Sequence, residues 1–175
     1  MSNIALAEFQ KSQIFGMTLA ATTQRSSLYT NSPPEPVRKI FHRSFRKKLE
    51  SLSAAYVQAA PEETHIRNIE TLATSMSDLH SEIFNDGRFR IGHAQKALNL
   101  YLKYLWCFGQ IPEPPHCPID FVILKRIPGF GSVRWTKIDS VADYMKVIEA
   151  ARHEASHKKL SLSQWELLAY NESAT

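Results

Sequence analysis

Apolar residues recur every three or four positions through nearly all of this 175-residue chain, and only six glycines interrupt them. That period is the mark of amphipathic helices, so the expected fold class is all-α. A first helical region covers about Ile4 to Arg25, with Ile4, Leu6, Phe9, Ile14, Phe15, Met17 and Leu19 as a broad apolar face. Asn31 to Pro36 breaks it, and Pro34 or Pro36 opens a second helix, where a missing N–H costs nothing. The second runs to about Ala59, carrying Phe41, Phe45 and Leu49 on one face and Arg38, Lys39, Arg43, Arg46, Lys47 and Lys48 on the other. A third follows Pro61 to about Ile83, and Asn85-Asp86-Gly87 turns the chain. A fourth spans about Gly92 to Phe108. Four prolines from Gly109 through Pro118 then force an irregular connection. The run Val122-Ile123-Leu124 leaves residues 119–127 open between helix and strand. Asp139 or Ser140 caps a helix to about Lys159, and Ser161-Leu162-Ser163-Gln164 is a capping-box pattern for a last helix through Tyr170. The length suits one domain over residues 1–175, without internal repeats.

Composition narrows the function classes. Lys and Arg number 21 against 17 Asp and Glu, a formal charge of +4 that permits a polyanionic partner without demanding one. No run approaches the ~20 apolar residues of a membrane helix, so no membrane role is expected. Met1 to Glu8 holds an acid and no basic lead, unlike a secretory signal. Cys107 and Cys117 make no disulfide framework and read as reduced thiols, which sets a cytoplasmic location as the expectation. A monomer is expected too.

Two short motifs raise chemistry. His153-Glu154-Ala155-Ser156-His157 places two imidazoles at i, i+4 on one helix face, where they can share a zinc whose water Glu154 activates. Arg152, Lys158 and Lys159 flank it, however, and a catalytic zinc needs a dry setting. The motif is therefore read as a solvated basic face, and no metal or other cofactor is expected. The second is Arg88-Phe89-Arg90-Ile91-Gly92-His93. Its Arg and His, five residues apart, resemble the RNA-cleaving motif of the higher-eukaryote and prokaryote nucleotide-binding (HEPN) family. There the Arg stabilises phosphate charge and the His handles the proton of a 2′-hydroxyl. Here Phe89 replaces the usual polar residue.

A longer pattern joins Ile91-Gly92-His93-Ala94-Gln95-Lys96-Ala97-Leu98, a 17-residue helix, the proline-rich loop and His116-Cys117-Pro118-Ile119-Asp120-Phe121-Val122-Ile123. It resembles the helix-hairpin-helix DNA glycosylases, whose core is a Gly-led helix start bearing a lysine, then Pro-Val/Ile-Asp before apolar residues. The resemblance covers about Arg88 to Arg126. It implies that Asp120 is the essential carboxylate and that Lys96, where the family has its nucleophile, attacks the sugar carbon. The chain lacks the usual Leu-Pro-Gly-Val-Gly hairpin before the lysine, and its Lys–Asp spacing of 24 residues is longer than in the commonest members. Archaeal 8-oxoguanine glycosylases vary likewise, and bacterial relatives act against phage with modified bases.

The chemistry suits these identities. Breaking an N-glycosidic bond builds oxocarbenium-like charge on the sugar, which a fixed carboxylate stabilises. An amine freed of its proton is a nucleophile. Under this reading a base of duplex DNA is extruded and removed, leaving an abasic site, in DNA repair or antiviral defence. Arg88, Arg90, Gly92, His93 and Gln95 are the expected DNA contacts, with the Gly92 helix start holding a phosphate. Trp106, Phe121 and Trp135 are candidates for the base pocket. Two alternatives stand beside it: an all-helical RNase using Arg88 and His93, and a non-catalytic helical nucleic-acid-binding module. In the module Lys96 is a solvated helix residue and Asp120 an N-cap.

Overall fold

Proline placement sets two of the helix starts. In the computed structural model, which describes residues 3–24, 26–30 and 32–174, Pro34 and Pro61 are the N-cap residues of α2 (Glu35–Ser53) and α3 (Glu62–His80). Around them lie α1 (Asn3–Thr23), α4 (Ile91–Cys107), α5 (Phe121–Leu124), α6 (Val141–His157) and α7 (Leu162–Ala174). Short 3₁₀ turns at 54–56, 81–83, 85–87 and 135–137 complete the chain, and the described residues contain no strand. Arg25 and Asn31, the expected end of the first helix and start of the break, lie outside the described residues, as do Met1, Ser2 and Thr175.

Local rules explain most of the boundaries. Ser140, rather than Asp139, caps α6, its Oγ accepting the Asp143 N–H at 3.0 Å. The Ser161–Gln164 capping box forms in both directions, Gln164 N–H to Ser161 Oγ at 3.2 Å and Ser161 N–H to Gln164 Oε1 at 3.4 Å. Asp120 decides the open segment: its Oδ1 accepts the N–H groups of Val122 and Ile123, so residues 121–124 become one helical turn. Gly109 ends α4 at φ +70°, a conformation easiest for glycine, with Gln110 N–H returning to the Leu105 carbonyl at 2.8 Å.

Among the described residues all seven helices pack on one core, and α4 runs through its middle against α1, α2, α3 and α6. Fourteen of its seventeen residues are buried, so its polar side is covered as well as its apolar one. Gln95, Lys96, Asn99 and Lys103 are therefore interior groups and must find partners there. The apolar face expected of α1 is only partly used. The row that packs inward is Ile14, Thr18 and Thr22, whereas Ile4, Leu6, Phe9 and Met17 are exposed. Thr22 can lie inside because its hydroxyl donates to the Thr18 carbonyl at 2.8 Å. No helix among the described residues is long and apolar enough to cross a membrane.

Candidate active site

The proline-rich connection is short of amide donors, so its buried carbonyls need partners from outside the segment. Helix side chains supply them. Ser163 of α7 donates to the Pro114 carbonyl at 3.0 Å, and Asn99 Nδ2 of α4 to the Cys117 carbonyl at 2.9 Å. Gln95 holds Ile119 from both directions. Its Nε2 donates to the Ile119 carbonyl at 2.7 Å, and its Oε1 accepts the Ile119 N–H at 3.1 Å.

A buried hydrogen-bond chain backs this clasp. Asn99 Nδ2 donates to the Tyr144 hydroxyl at 3.0 Å, and that hydroxyl meets His116 Nδ1 at 2.9 Å. His116 Nε2 reaches Glu62 Oε1 at 2.7 Å, and Arg152 binds the same oxygen at 2.6 Å. Burial pushes the His116 pKa down despite the nearby Glu62 carboxylate. The neutral ring then donates through Nε2 to Glu62 and accepts from Tyr144 at Nδ1. The loop that precedes Asp120 is thus fixed by α3, α4, α6 and α7 together.

On this support Lys96 and Asp120 meet. Lys96 Nζ lies 2.5 Å from Asp120 Oδ2, with side-chain exposures of 8% and 26%. Asp120 is held twice, through Oδ1 as the cap of α5 and through Oδ2 by the lysine. The pair lies in a cleft of about 630 Å³, walled by Phe121, Arg134, Trp135 and Thr136, by Ala21 of α1 and by Gln24 just beyond that helix. The volume falls within the range of small-molecule sites. A fixed carboxylate at one wall of such a cleft can stabilise positive charge on a bound molecule, and the adjoining amine adds a potential nucleophile.

The other expected residues divide. Trp135 lines the cleft, and Phe121 stands at its edge, 55% exposed, with Lys125 Nζ 4.2 Å from its ring centroid. Trp106 is placed elsewhere: ten residues along α4 from Lys96, it is ~15 Å away and lines no part of this cleft. Gly92 is not a phosphate cradle. Its N–H is spent on the Ile138 carbonyl at 2.8 Å, and an added Cβ would lie 1.8 Å from the Trp135 carbonyl oxygen. Glycine is required there so that the cleft wall can lie against α4. Gln95 is fully buried, and its contacts are with the chain itself.

Arg88, Arg90 and His93 line a second cleft of about 330 Å³ together with Arg134, Thr136 and Lys137. Asp139 pairs with both Arg88 and Arg90, and Asp86 pairs with Arg90 and Lys137. His93 is buried against Phe89 and Trp135. Its Nε2 faces the Ser26 carbonyl at 3.4 Å and its Nδ1 is buried without a partner among the described residues. Burial is the main cause that lowers its pKa to about 4, so the ring is neutral at pH 7.

Elsewhere, Lys103, two turns along α4 from Lys96, makes a second buried pair with Glu166, Nζ to Oε2 at 2.7 Å. The His153 and His157 rings lie 4.4 Å apart on an exposed face of α6, with Glu154 beside them. Cys117 is buried and its thiol is pushed up by that burial, while Cys107 is exposed. With both His116 nitrogens engaged, these thiols share no ligand set with it. The roles of Gln95 and Asn99 escaped the sequence reading. Their signal was two amides at i, i+4 on a helix followed by a segment poor in donors. Comparison of the chain with protein families, with curated proteins and with solved structures gives no match.

Proposed function

We propose that this protein is a DNA glycosylase that removes a damaged or modified base from duplex DNA. The observation that carries the reading is the 2.5 Å pairing of Lys96 with Asp120 in an aromatic-walled cleft. An extruded base enters the cleft beside Trp135, and Phe121 at its edge offers a stacking face to the opened helix. The N-glycosidic bond breaks with its electron pair leaving on the base, which takes up a proton. Positive charge grows at the sugar C1′, and the Asp120 carboxylate stabilises it. Water forms the new bond at C1′ and gives up one proton, which balances the proton taken up by the base. Alternatively the Lys96 amine, after it has released a proton, forms that bond and loses a second proton to solvent. One copy of the chain acts in the cytoplasm on DNA, in repair or against phage with modified bases. No cofactor enters these steps.

The test is to incubate the protein with genomic DNAs carrying different base modifications and to count abasic sites. Sites that accumulate on one modified DNA with the native protein, and not with Asp120→Asn, support the reading. A protein that yields none on any modified DNA overturns it.

A further inference from the structure

We infer that the second cleft seats a phosphate of the strand whose nucleotide enters the first, with Arg134, Lys137 and Arg88 as its holders. This rests on the base-excision reading. Arg134 and Thr136 line both clefts, so a strand that crosses this wall passes directly from one to the other. Four cations, Arg88, Arg90, Arg134 and Lys137, face two carboxylates, Asp86 and Asp139, which leaves an excess of positive charge. Arg134 makes no ion pair among the described residues, and the Thr136 hydroxyl has no partner there. Arg88 and Lys137 keep more than half of their side chains exposed, so their charged ends can be reached.

The roles within the cluster differ. Arg90 is mostly buried between Asp86 and Asp139, which makes it a strut that holds the wall. Asp139 in turn orients Arg88, and Asp86 orients Lys137. A bound phosphate gains from fixed donors because little side-chain freedom is lost on binding. The position also suits the chemistry. A nucleotide is drawn from a helix with its phosphates attached, so a seat beside the base cleft fixes the sugar against Asp120.

The experiment uses anisotropy with a labelled duplex containing one tetrahydrofuran abasic-site analogue, and the same duplex with a methylphosphonate walked along that strand. The proteins are the wild type, Arg134→Ala/Lys137→Ala, and the charge-retaining Arg134→Lys/Lys137→Arg, each checked for folding by thermal melting. For the wild type, one methylphosphonate next to the analogue weakens binding by roughly tenfold and lowers the salt slope by about one phosphate. The alanine variant shows the same loss on unmodified phosphate and no further loss at that position, and the charge-retaining variant keeps most of the affinity. An alanine variant that binds as tightly as the wild type overturns the proposal. So does one that loses equally with and without the analogue. Failure of the excision reading looks different: no abasic sites form on any modified DNA, although the phosphate-specific loss is intact.

Discussion

The side-chain amide of Gln95 closes on the backbone of Ile119, donating to its carbonyl at 2.7 Å and accepting its N–H at 3.1 Å. The next residue along each partner makes the Lys96–Asp120 pair. Two consecutive residues of α4 thus grip two consecutive residues of the loop, one by shape and the other by charge. Gln95→Leu fills similar space but orphans both Ile119 groups, which costs about 1–3 kcal/mol for each. The expected result is a melting temperature lowered by several degrees and a fall in kcat larger than any change in KM, because the carboxylate loses its placement. A variant with normal melting and normal kcat would show that the clasp positions nothing.

Asp120→Asn separates capping from charge. The amide oxygen still accepts the Val122 and Ile123 N–H groups, so α5 persists, whereas the negative charge beside Lys96 is lost. Under the proposed base-excision reading, the expected result is excision slowed by roughly 10²–10³-fold, the scale for removing one electrostatic stabiliser. Single-turnover abasic-site formation measures this, and retention of most of the wild-type rate removes Asp120 from the mechanism. For Lys96, borohydride is expected to trap a covalent protein–DNA adduct that Lys96→Met does not form. Activity without an adduct assigns the lysine to holding the carboxylate instead.

What could be read in the chain follows from which forces are local. Helix periods, the Ser161–Gln164 box and the capping of α5 by Asp120 depend on neighbours in sequence, and each is formed in the fold. Asp120 was open to two readings, cap or site carboxylate, and it is a cap that also binds Lys96, because one oxygen serves each partner. Gln95 and Gly92 were read as facing DNA because their covering elements come from far along the chain. Residues 135–138 and Ile119 occupy them, and no local pattern records that. Arg134 and Lys137 were passed over for the same reason: only the fold brings their loop beside Arg88.

Acid stability should carry the mark of His93. In the unfolded chain the ring binds a proton below about 6.5, while in the fold burial chiefly lowers its pKa to about 4. Between those values the unfolded state holds the extra proton, so the contribution is complete above pH 6.5 and is lost as pH falls. The loss is about 1.4 kcal/mol per pH unit, and His65, lowered to about 3 mainly by burial, adds in the same direction. Urea midpoints from pH 7 to 4.5 should fall steeply for the wild type. His93→Gln should reduce the linked proton uptake by close to one. An unchanged slope would mean that the buried ring titrates as it does in water.

Lys159 ends α6 in the left-handed region, at φ +56°, with the Leu160 N–H returning to the Ala155 carbonyl at 3.1 Å. That is the geometry in which helices favour glycine, and a side chain there costs about 1 kcal/mol. Lys159 has no ion pair to forfeit among the described residues and is exposed. Lys159→Gly should therefore raise the melting temperature by about 2–4 °C. A fall on scanning calorimetry would show that its side chain contributes more than its backbone strain costs.

Chelators give the last separation. His153, Glu154 and His157 present atoms within 4.8 Å of one another, a spacing that can hold a divalent transition metal. Their setting is the opposite of a catalytic one. Both histidines are exposed, Arg152, Lys158 and Lys159 flank them, and none of the three motif residues lines the cleft of Lys96 and Asp120. A metal there would be weakly held, with no dry surround to strengthen it, and it would stand apart from the cleft in which the proposed reading places the sugar. EDTA treatment and His153→Ala are both expected to leave the rate of abasic-site formation unchanged. Added zinc should bind the native protein and not His153→Ala, without raising that rate. Activity that disappears with chelation and returns with zinc, in step with occupancy of this face, would move the chemistry from Asp120 to α6.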